Sequence, residues 1–140
     1  MKWSIFETRD IAACHALRRV VFIDEQNVTE AEEVDGRDDD ALHVLAQVNG
    51  TNIGCARILI ADDVAKIGRV CVLKKGRGSG LGAAIIEACL DVARAQPNVT
   101  RAKLGAQLHA LAFYEKLGFV PFGPVYDDAG IDHRDMERPL

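Results

Sequence analysis

The amino-acid sequence predicts one α/β domain, also describable as α+β, with a mixed sheet and helices packed against it. A length of 140 residues fits about one domain. Strand-type and helix-type patterns are mixed along the whole chain, without an internal repeat or a linker. An Asn49-Gly50 pair between two β-rich segments is a strong hairpin signal. Together these observations favour a mixed α/β architecture over an all-helical or repeat fold.

The first third of the chain predicts a strand, a helix and an acidic loop. Residues 2–7 form the strand, and the helix begins at Asp10 and ends near Phe22 or Asp24. Nine of the seventeen residues 24–40 are Asp or Glu, which predicts a loop with one short helix. Helical spacing predicts an apolar face on the first helix made of Ile11, Cys14, Leu17, Val20 and Val21.

The remaining elements follow in order. The hairpin strands are residues 42–48 and 51–60, and a third strand is residues 65–73. A long helix follows the glycine cluster at 76–82 and stops before Pro97, with Leu81, Ile85, Ala88 and Val92 on one face. We then expect a strand at 101–106, a short helix at 108–117 with Gly118 as its C′ residue, and closing strands at 119–125 and 131–139.

Composition excludes several classes of function. Seventeen basic residues against 21 acidic ones give a net charge of −4, which disfavours nucleic acid and acidic membrane surfaces as partners. No apolar run is long enough to span a membrane and no secretory signal is recognisable, so a cytoplasmic location is expected. The four cysteines are widely spaced without a C-x-x-C pair, which predicts free thiols and no metal site.

The segment Lys74–Gly82 is a glycine-rich turn between a predicted strand and the long helix. Glycines let a backbone approach an anion closely, and a helix N-terminus presents unpaired N–H groups, so a pyrophosphate cradle is one interpretation. A flexible turn with solvated basic residues is the other. The spacing fits neither a Walker loop nor a dinucleotide fingerprint, because no Lys-Ser or Lys-Thr follows the glycines and the pattern is G-x-G-x-G.

Two motifs resemble those of the GNAT superfamily of N-acetyltransferases. Arg77-x-x-Gly80-x-Gly82 behind the strand 69–72 is similar to the family's acetyl-CoA motif, and residues 113–119 (FYEKLGF) resemble its Y-E-K-L-G-F segment, about thirty residues later. Residues 21–26, 33–36 and 40–43 are further similar to the ElaA-like branch. The resemblance covers essentially the whole chain and implies a single GNAT-type domain, 1–140, with six to seven strands and about four helices in the order β-α-(α)-β-β-β-α-β-α-β-β.

The resemblance implies that acetyl-CoA is a co-substrate, with no metal. Its pantetheine arm would pair with the backbone of the motif strand, and its pyrophosphate would rest on the backbone N–H groups of the glycine turn. Many members carry Asn seven residues before the tyrosine, where this chain has Gln107. The expected cofactor contacts are Val70, Cys71, Val72, Arg77, Gly78, Ser79, Gly80, Leu81, Gly82, Ala83 and Gln107.

The resemblance also implies catalytic roles. Tyr114 would be the general acid for the leaving thiolate, and the backbone N–H near Val72 would stabilise the oxyanion. Glu25 leads the candidates for general base, because the resemblance places the end of the first helix beside the acceptor; a solvated acidic loop is the other interpretation of that carboxylate. The expected acceptor contacts, of which Asp35 and His43 are also base candidates, are Phe22, Asp35, His43 and His133.

The leading function is acetyl transfer from acetyl-CoA to a primary amine of a small molecule or peptide, directly in a ternary complex. If the acidic segment 24–40 rims the cleft, its charges favour a cationic acceptor. The other interpretations are that these charges only keep a loop solvated, or that Arg18 and Arg19 offset them. The alternatives are an acyl-CoA-binding regulatory module without turnover and an unrelated nucleotide-phosphate binding protein. A covalent role for Cys71 is disfavoured because a thiol on an apolar strand is usually inert. The resemblance allows a homodimer without requiring one.

Overall fold

A computed structural model describes residues 2–140, so that only Met1 of the predicted domain lies outside it. The fold class predicted from the sequence is confirmed: a seven-stranded mixed sheet carries the helices. The strands are β1 (Trp3–Thr8), β2 (Leu42–Val48), β3 (Thr51–Ala61), β4 (Val64–Val72), β5 (Arg101–Gln107), β6 (Val120–Asp128) and β7 (Ile131–Pro139). The α-helices are α1 (Ile11–Arg18), α2 (Glu30–Glu33), α3 (Leu81–Arg94) and α4 (Leu111–Glu115).

The strand order is β1-β2-β3-β4-β5-β7-β6. Neighbouring strands are antiparallel except for β4 and β5, which are parallel because α3 crosses over between them. The β4–β5 pairing covers only Val64–Lys66 against Arg101–Lys103. Beyond those residues the two strands separate, and the separation opens the middle of the sheet.

Helices cover both faces of the sheet. Alternate residues of a strand point to opposite faces, and on β2 the side chains of Val44 and Ala46 belong to the core beneath α3, whereas Leu45 belongs to the core beneath α1. The α3 core contains Leu81, Ile85, Ile86, Cys89, Leu90 and Ala93, all fully buried. Buried side chains spaced three to four residues apart therefore pack α3 on the sheet, and residues 73–80 join the end of β4 to its N-terminus.

The first helix differs from the prediction in its second half. Asp10 caps α1 by accepting a hydrogen bond from the backbone N–H of Ala13, as an N-cap residue does. From Arg19 to Glu25 the chain forms a π-helix, whose wider turn changes which residues face the core. Val21 is buried as expected, but Val20 is 41% exposed. The predicted placement of Val20 on the apolar face is therefore wrong.

Smaller differences occur at element ends. The segment expected as a helix at 108–117 is a 3₁₀ turn over Leu108–Ala110 followed by α4. Gly118 has a φ of +91°, in agreement with its predicted C′ position. The short helix expected in the acidic segment is α2, and Thr29 and Glu32 form a capping box at its start. Within residues 2–140 no helix is both long and apolar enough to cross a membrane.

Candidate active site

The separation of β4 and β5 forms a cleft of about 410 Å³. Ile67, Gly68 and Val70 of β4 line one wall, and Leu104 and Gln107 of β5 contribute to the other. Because β4 pairs with β5 only as far as Lys66, the backbone of β4 beyond that residue has no partner strand on its β5 side. Unpaired strand backbone at a cleft is available to hydrogen-bond an extended ligand.

The glycine-rich turn lies at the N-terminus of α3. Gly78 and Gly80 have φ values of +77° and +88°, a region that other residues enter only with strain. Ala84 is the first residue whose backbone N–H bonds back to Gly80, and no side chain caps the helix. The N–H groups of Leu81, Gly82 and Ala83 therefore have no acceptor within the helix, and together with its dipole they favour an anion there.

The Arg77 side chain is held within the protein. Its Nε donates to the carbonyl oxygen of Val72 at 2.9 Å, and its guanidinium donates to both carboxylate oxygens of Glu25 at 2.9 and 3.0 Å. The ion pair ties the end of the π-helix to the glycine-rich turn. Glu25 also lines a separate depression with Lys74 and Lys75, rather than the cleft between β4 and β5.

Tyr114 lines the cleft from α4. Its ring packs edge-on against Phe113 and Phe119, with centroids 5.0 and 6.0 Å away. Burial raises the pKa of the phenol to about 12, and the nearby Cys89 adds to the shift. The hydroxyl therefore keeps its proton at neutral pH, and residues 2–140 offer it no hydrogen-bond partner.

Three amide and imidazole side chains form a chain of hydrogen bonds along the cleft. Gln107 donates from Nε2 to Oε1 of Gln26 at 3.1 Å, and its own Oε1 accepts from Nε2 of His109 at 2.7 Å. All three residues line the cleft. The predicted contact residue Gln107 is thus in the cleft, but its amide is already bonded at both ends.

Cys71, by contrast, points away from the cleft. It is buried in the core beneath α1, and its sulfur lies 3.5 Å from that of Cys55 on β3. Cys71 lies opposite Cys55 in the register of β3 and β4 and does not line the cleft, so its backbone contact with the cofactor stays a prediction.

Arginines neutralise the acidic residues at the rim of the cleft. Arg57 donates twice to Asp35, each time at 2.8 Å, and Arg69 donates to Glu33 at 2.7 Å. These hydrogen bonds from Arg57 lower the pKa of Asp35 to about 2. The expectation that acidic residues give the rim a negative field does not hold here, because Glu33 and Asp35 are counter-ions of arginines.

A second part of this ion network is buried beneath α1. Arg18 is 1% exposed and donates to Asp38 at 2.8 Å and to Glu33 at 2.9 Å. His15 also donates to Asp38. His43 is 2% exposed and donates from Nε2 to the backbone oxygen of Asp38. The network fixes the acidic segment against α1 and β3.

The three residues predicted as candidate bases do not meet in the cleft. Glu25 lies outside it and is paired with Arg77. His43 is buried and does not line it, which corrects its predicted contact with an acceptor. Asp35 lines it, but its low pKa makes it a weak base. Of the remaining predicted acceptor contacts, Phe22 and His133 both line the cleft.

Sequence reasoning missed Arg57, Arg69 and Tyr126, which also line the cleft. A signal for Arg57 was present, because a charged residue inside the apolar run 55–59 needs a buried counter-ion. Tyr126 gave no such signal, since it lies on the exposed edge strand β6.

Comparison with protein families identifies the fold. Residues 14–140 match the family model described as an acetyltransferase (GNAT) domain. The chain belongs to the GNAT acetyltransferases. It is 36% identical over 129 residues to the protein ElaA of Escherichia coli, covering 89% of this chain and 84% of that one. It is also 36% identical over 123 residues to the uncharacterized N-acetyltransferase YjcF of Bacillus subtilis, covering 87% of each.

Solved structures of similar proteins have the same fold. The crystal structure of Escherichia coli ElaA superposes with a TM-score of 0.83 at 32% identity, covering 98% of both chains. An acyl-CoA N-acyltransferase from Pseudomonas aeruginosa superposes with a TM-score of 0.84 at 31% identity, also covering 98% of both. The predicted membership of the GNAT family and the similarity to ElaA are therefore confirmed.

Proposed function

We propose that this GNAT protein transfers the acetyl group of acetyl-CoA to a primary amine of a small molecule or peptide, directly and in a ternary complex. The observation that carries the proposal is the separation of β4 and β5 beside the glycine-rich turn, with Tyr114 at the same cleft. The cleft would supply unpaired strand backbone and a proton donor, and the N-terminus of α3, which follows β4 in the chain, would supply the anion site. The cytoplasmic location and the homodimer stay predictions.

The protein groups around the cleft fit a coenzyme A ester. The free N–H groups of Leu81, Gly82 and Ala83 would hold the pyrophosphate, and the unpaired β4 backbone at Val70 and Val72 would hold the pantetheine amides. Since Arg77 Nε already occupies the carbonyl of Val72, that side chain would move or share its acceptor on binding. Bound acetyl-CoA would supply an activated acetyl group as a thioester.

Tyr114 would act as the proton donor to the sulfur. A phenol that stays protonated through neutral pH suits this role, and the ring is fixed by its contacts with Phe113 and Phe119. The backbone N–H near Val72 would stabilise the developing oxyanion.

The acceptor side would take a primary amine without a strong preference for further positive charge on the acceptor. The charged groups on the cleft wall include Arg57 and Arg69 as well as Glu33 and Asp35, and these four pair with one another. Their fields therefore largely cancel, and shape and hydrogen bonding would decide between acceptors.

An acyl-CoA-binding module without turnover is the second candidate. It is favoured by one observation: Glu25 and Asp35, two of the predicted bases, are both held by arginines. Such a module would bind the coenzyme A ester but would not release free thiol in the presence of any amine.

The test is a thiol-release assay with acetyl-CoA and a panel of primary amines, on the wild type and on Tyr114→Phe. We expect turnover by the wild type and a kcat lower by about 100-fold in the variant. The affinity for acetyl-CoA should change by less than about twofold, because the phenol contacts the sulfur and not the phosphates. Equal kcat values would remove Tyr114 from the role, and binding without thiol release would favour the regulatory module.

A further inference from the structure

His133 is a half-buried histidine on β7 that faces the cleft. In the register of the sheet it lies directly opposite Gln107 of β5 and Tyr126 of β6, and all three side chains line the cleft. The ring is thus on the same cavity as Tyr114.

One hydrogen bond fixes the tautomer of this imidazole. Nδ1 lies 2.7 Å from the backbone carbonyl oxygen of Ile131. A carbonyl oxygen only accepts hydrogen bonds, so Nδ1 carries a hydrogen and donates. In the neutral ring Nε2 then carries a lone pair. Nε2 has no hydrogen-bond partner among residues 2–140, and it is not one of the fully buried polar atoms that lack a partner, so it is accessible on a residue that lines the cleft.

The neighbouring residues hold the ring in place. Tyr126 stacks on it with centroids 6.0 Å apart and an interplanar angle of 24°. The hydroxyl of Tyr126 donates to Asp135 at 2.7 Å, so the phenol is itself fixed. An imidazole held by a backbone carbonyl on one nitrogen keeps the other nitrogen able to accept a proton, as a general base must.

We propose that His133 is the general base that removes a proton from the acceptor ammonium, through Nε2. The inference rests on the proposed acetyl transfer. Other carboxylates at the cleft are unsuited to accepting this proton, because Glu33 and Asp35 are bound by arginines and Glu32 accepts from Thr29 at the start of α2.

Two further titratable side chains, those of His109 and Asp128, line the cleft. The Nε2 of His109 already donates to Gln107, so the nitrogen that is free in His133 is used there. Asp128, near the end of β6, lines the cleft as an exposed carboxylate. His109 also holds Gln107, a predicted cofactor contact, so Asp128 alone is the control in the test. On β7 itself, Asp132 and Arg134 flank His133 and point to the opposite face by strand alternation.

The protons balance in this scheme. The ammonium gives one proton to Nε2 of His133, which becomes imidazolium. The neutral amine forms a C–N bond to the acetyl carbon while the C–S bond breaks. Tyr114 protonates the departing sulfur and regains a proton from the former amine nitrogen, and His133 releases its proton to water.

The kinetic test compares His133→Gln with Asp128→Asn in acetyl transfer to a primary amine that the wild type uses. At neutral pH we expect kcat/KM of His133→Gln to fall by about 100-fold, and kcat/KM of Asp128→Asn to stay within about threefold of the wild type. The affinity for acetyl-CoA should be unchanged in both variants. Near pH 10, where solvent deprotonates the amine, His133→Gln should recover most of the wild-type rate.

The tautomer gives a readout that does not depend on activity. Long-range ¹H–¹⁵N NMR spectra of the protein without ligand, assigned with His133→Gln, should show His133 protonated on Nδ1 and bare on Nε2 at a pH where the ring is neutral. A proton on Nε2, or a His133→Gln variant that keeps full kcat/KM at neutral pH, would overturn the proposal while leaving acetyl transfer intact. Failure of the wild type to acetylate any amine would instead remove the proposed function, and this inference with it.

Discussion

The two sides of the cleft are built in different ways. The side of the glycine-rich turn is made of backbone. It consists of the free N–H groups at the start of α3, two glycines in the left-handed conformation and the unpaired edge of β4. The acceptor side is made of side chains: a network of buried arginines and carboxylates and the stacked Tyr126–His133 pair. One side is specified by chain conformation and the other by charge pairing over long sequence distances.

This difference explains why sequence motifs describe the half of the site at the glycine-rich turn and not the acceptor half. A glycine spacing and a helix start are local, so residues 77–82 can suggest a phosphate-binding turn from the sequence alone, with a flexible turn as the alternative. Arg18 meets Glu33 and Asp38, and Arg57 meets Asp35, across fifteen to twenty-two residues. Such pairings depend on the folded sheet and leave no fixed spacing in the sequence.

We expect the largest effect, a loss of stability, when the buried one of two adjacent arginines on the acceptor side is replaced. Arg18 is buried with Glu33 and Asp38, whereas Arg19 forms an exposed pair with Glu30. Removing one partner of a buried pair costs about 3–5 kcal/mol, and an exposed pair contributes about 0–1 kcal/mol. We expect Arg18→Met to lose about 3 kcal/mol, at the low end because Arg57 and Arg69 still contact the two carboxylates.

Urea unfolding followed by circular dichroism measures both variants, with Arg19→Met as the matched control. A loss below about 1 kcal/mol in Arg18→Met would mean that the buried network does not hold the acceptor side together.

The next effect concerns the turn alone. Gly80→Glu places a negative charge and a Cβ where the pyrophosphate is proposed to lie, and we expect at least about a 100-fold loss of acetyl-CoA affinity. Gly80→Ala adds only the strain of the left-handed conformation, about 1–2 kcal/mol of stability. In Gly80→Ala the added Cβ would meet the Trp3 ring at an ordinary contact distance of 3.8 Å.

Isothermal titration of the two variants with acetyl-CoA separates the effect of the added negative charge on affinity from the effect of backbone strain. If Gly80→Glu bound as tightly as Gly80→Ala, the phosphate site would have to lie elsewhere.

The weakest effect is a pH dependence of the acceptor side. The pKa of Asp35 is lowered from 3.8 to about 2 by hydrogen bonds from Arg57. A group with a depressed folded-state pKa contributes stability that is present above its unfolded value and is lost as the pH falls through the folded value. We expect the urea midpoint to decrease between about pH 4 and pH 2, and less steeply in Asp35→Asn. Parallel curves for the two proteins would show that Asp35 does not contribute.

Much of the fold was predictable because its signals are local. The Asn49-Gly50 hairpin and Gly118 after α4 appear where their patterns indicate. The predicted face of α3 is right in part, because Leu81 and Ile85 are fully buried, whereas Ala88 and Val92 are only partly buried. The π-helix after α1 was not predictable, since its wider turn replaces the ordinary helical period and leaves Val20 exposed. Helical spacing alone assigns Val20 and Val21 to the same face.

The candidate site was predictable in part. Tyr114, Gln107 and the glycine turn followed from motifs; Tyr114 and Gln107 line the cleft, and the glycine turn lies at the N-terminus of α3. The predicted bases do not lie together in the cleft. Glu25 and Asp35 pair with arginines that are distant in the sequence, and residue spacing does not indicate such pairs. The open nitrogen of His133 depends on a backbone carbonyl two residues away, a detail of strand geometry that residue identity does not indicate.

The proposed function depends above all on binding of acetyl-CoA by the turn and the separated strands. Calorimetric titration of the wild-type protein with acetyl-CoA, against free pantetheine as the control, measures this binding without any assumption about the acceptor. We expect micromolar binding of acetyl-CoA, about −8 kcal/mol, and much weaker binding of pantetheine, which lacks the phosphates held by the turn. Equal affinity for the two ligands, or no binding of acetyl-CoA by the folded protein, would contradict the proposed phosphate site and the acetyl transfer that depends on it.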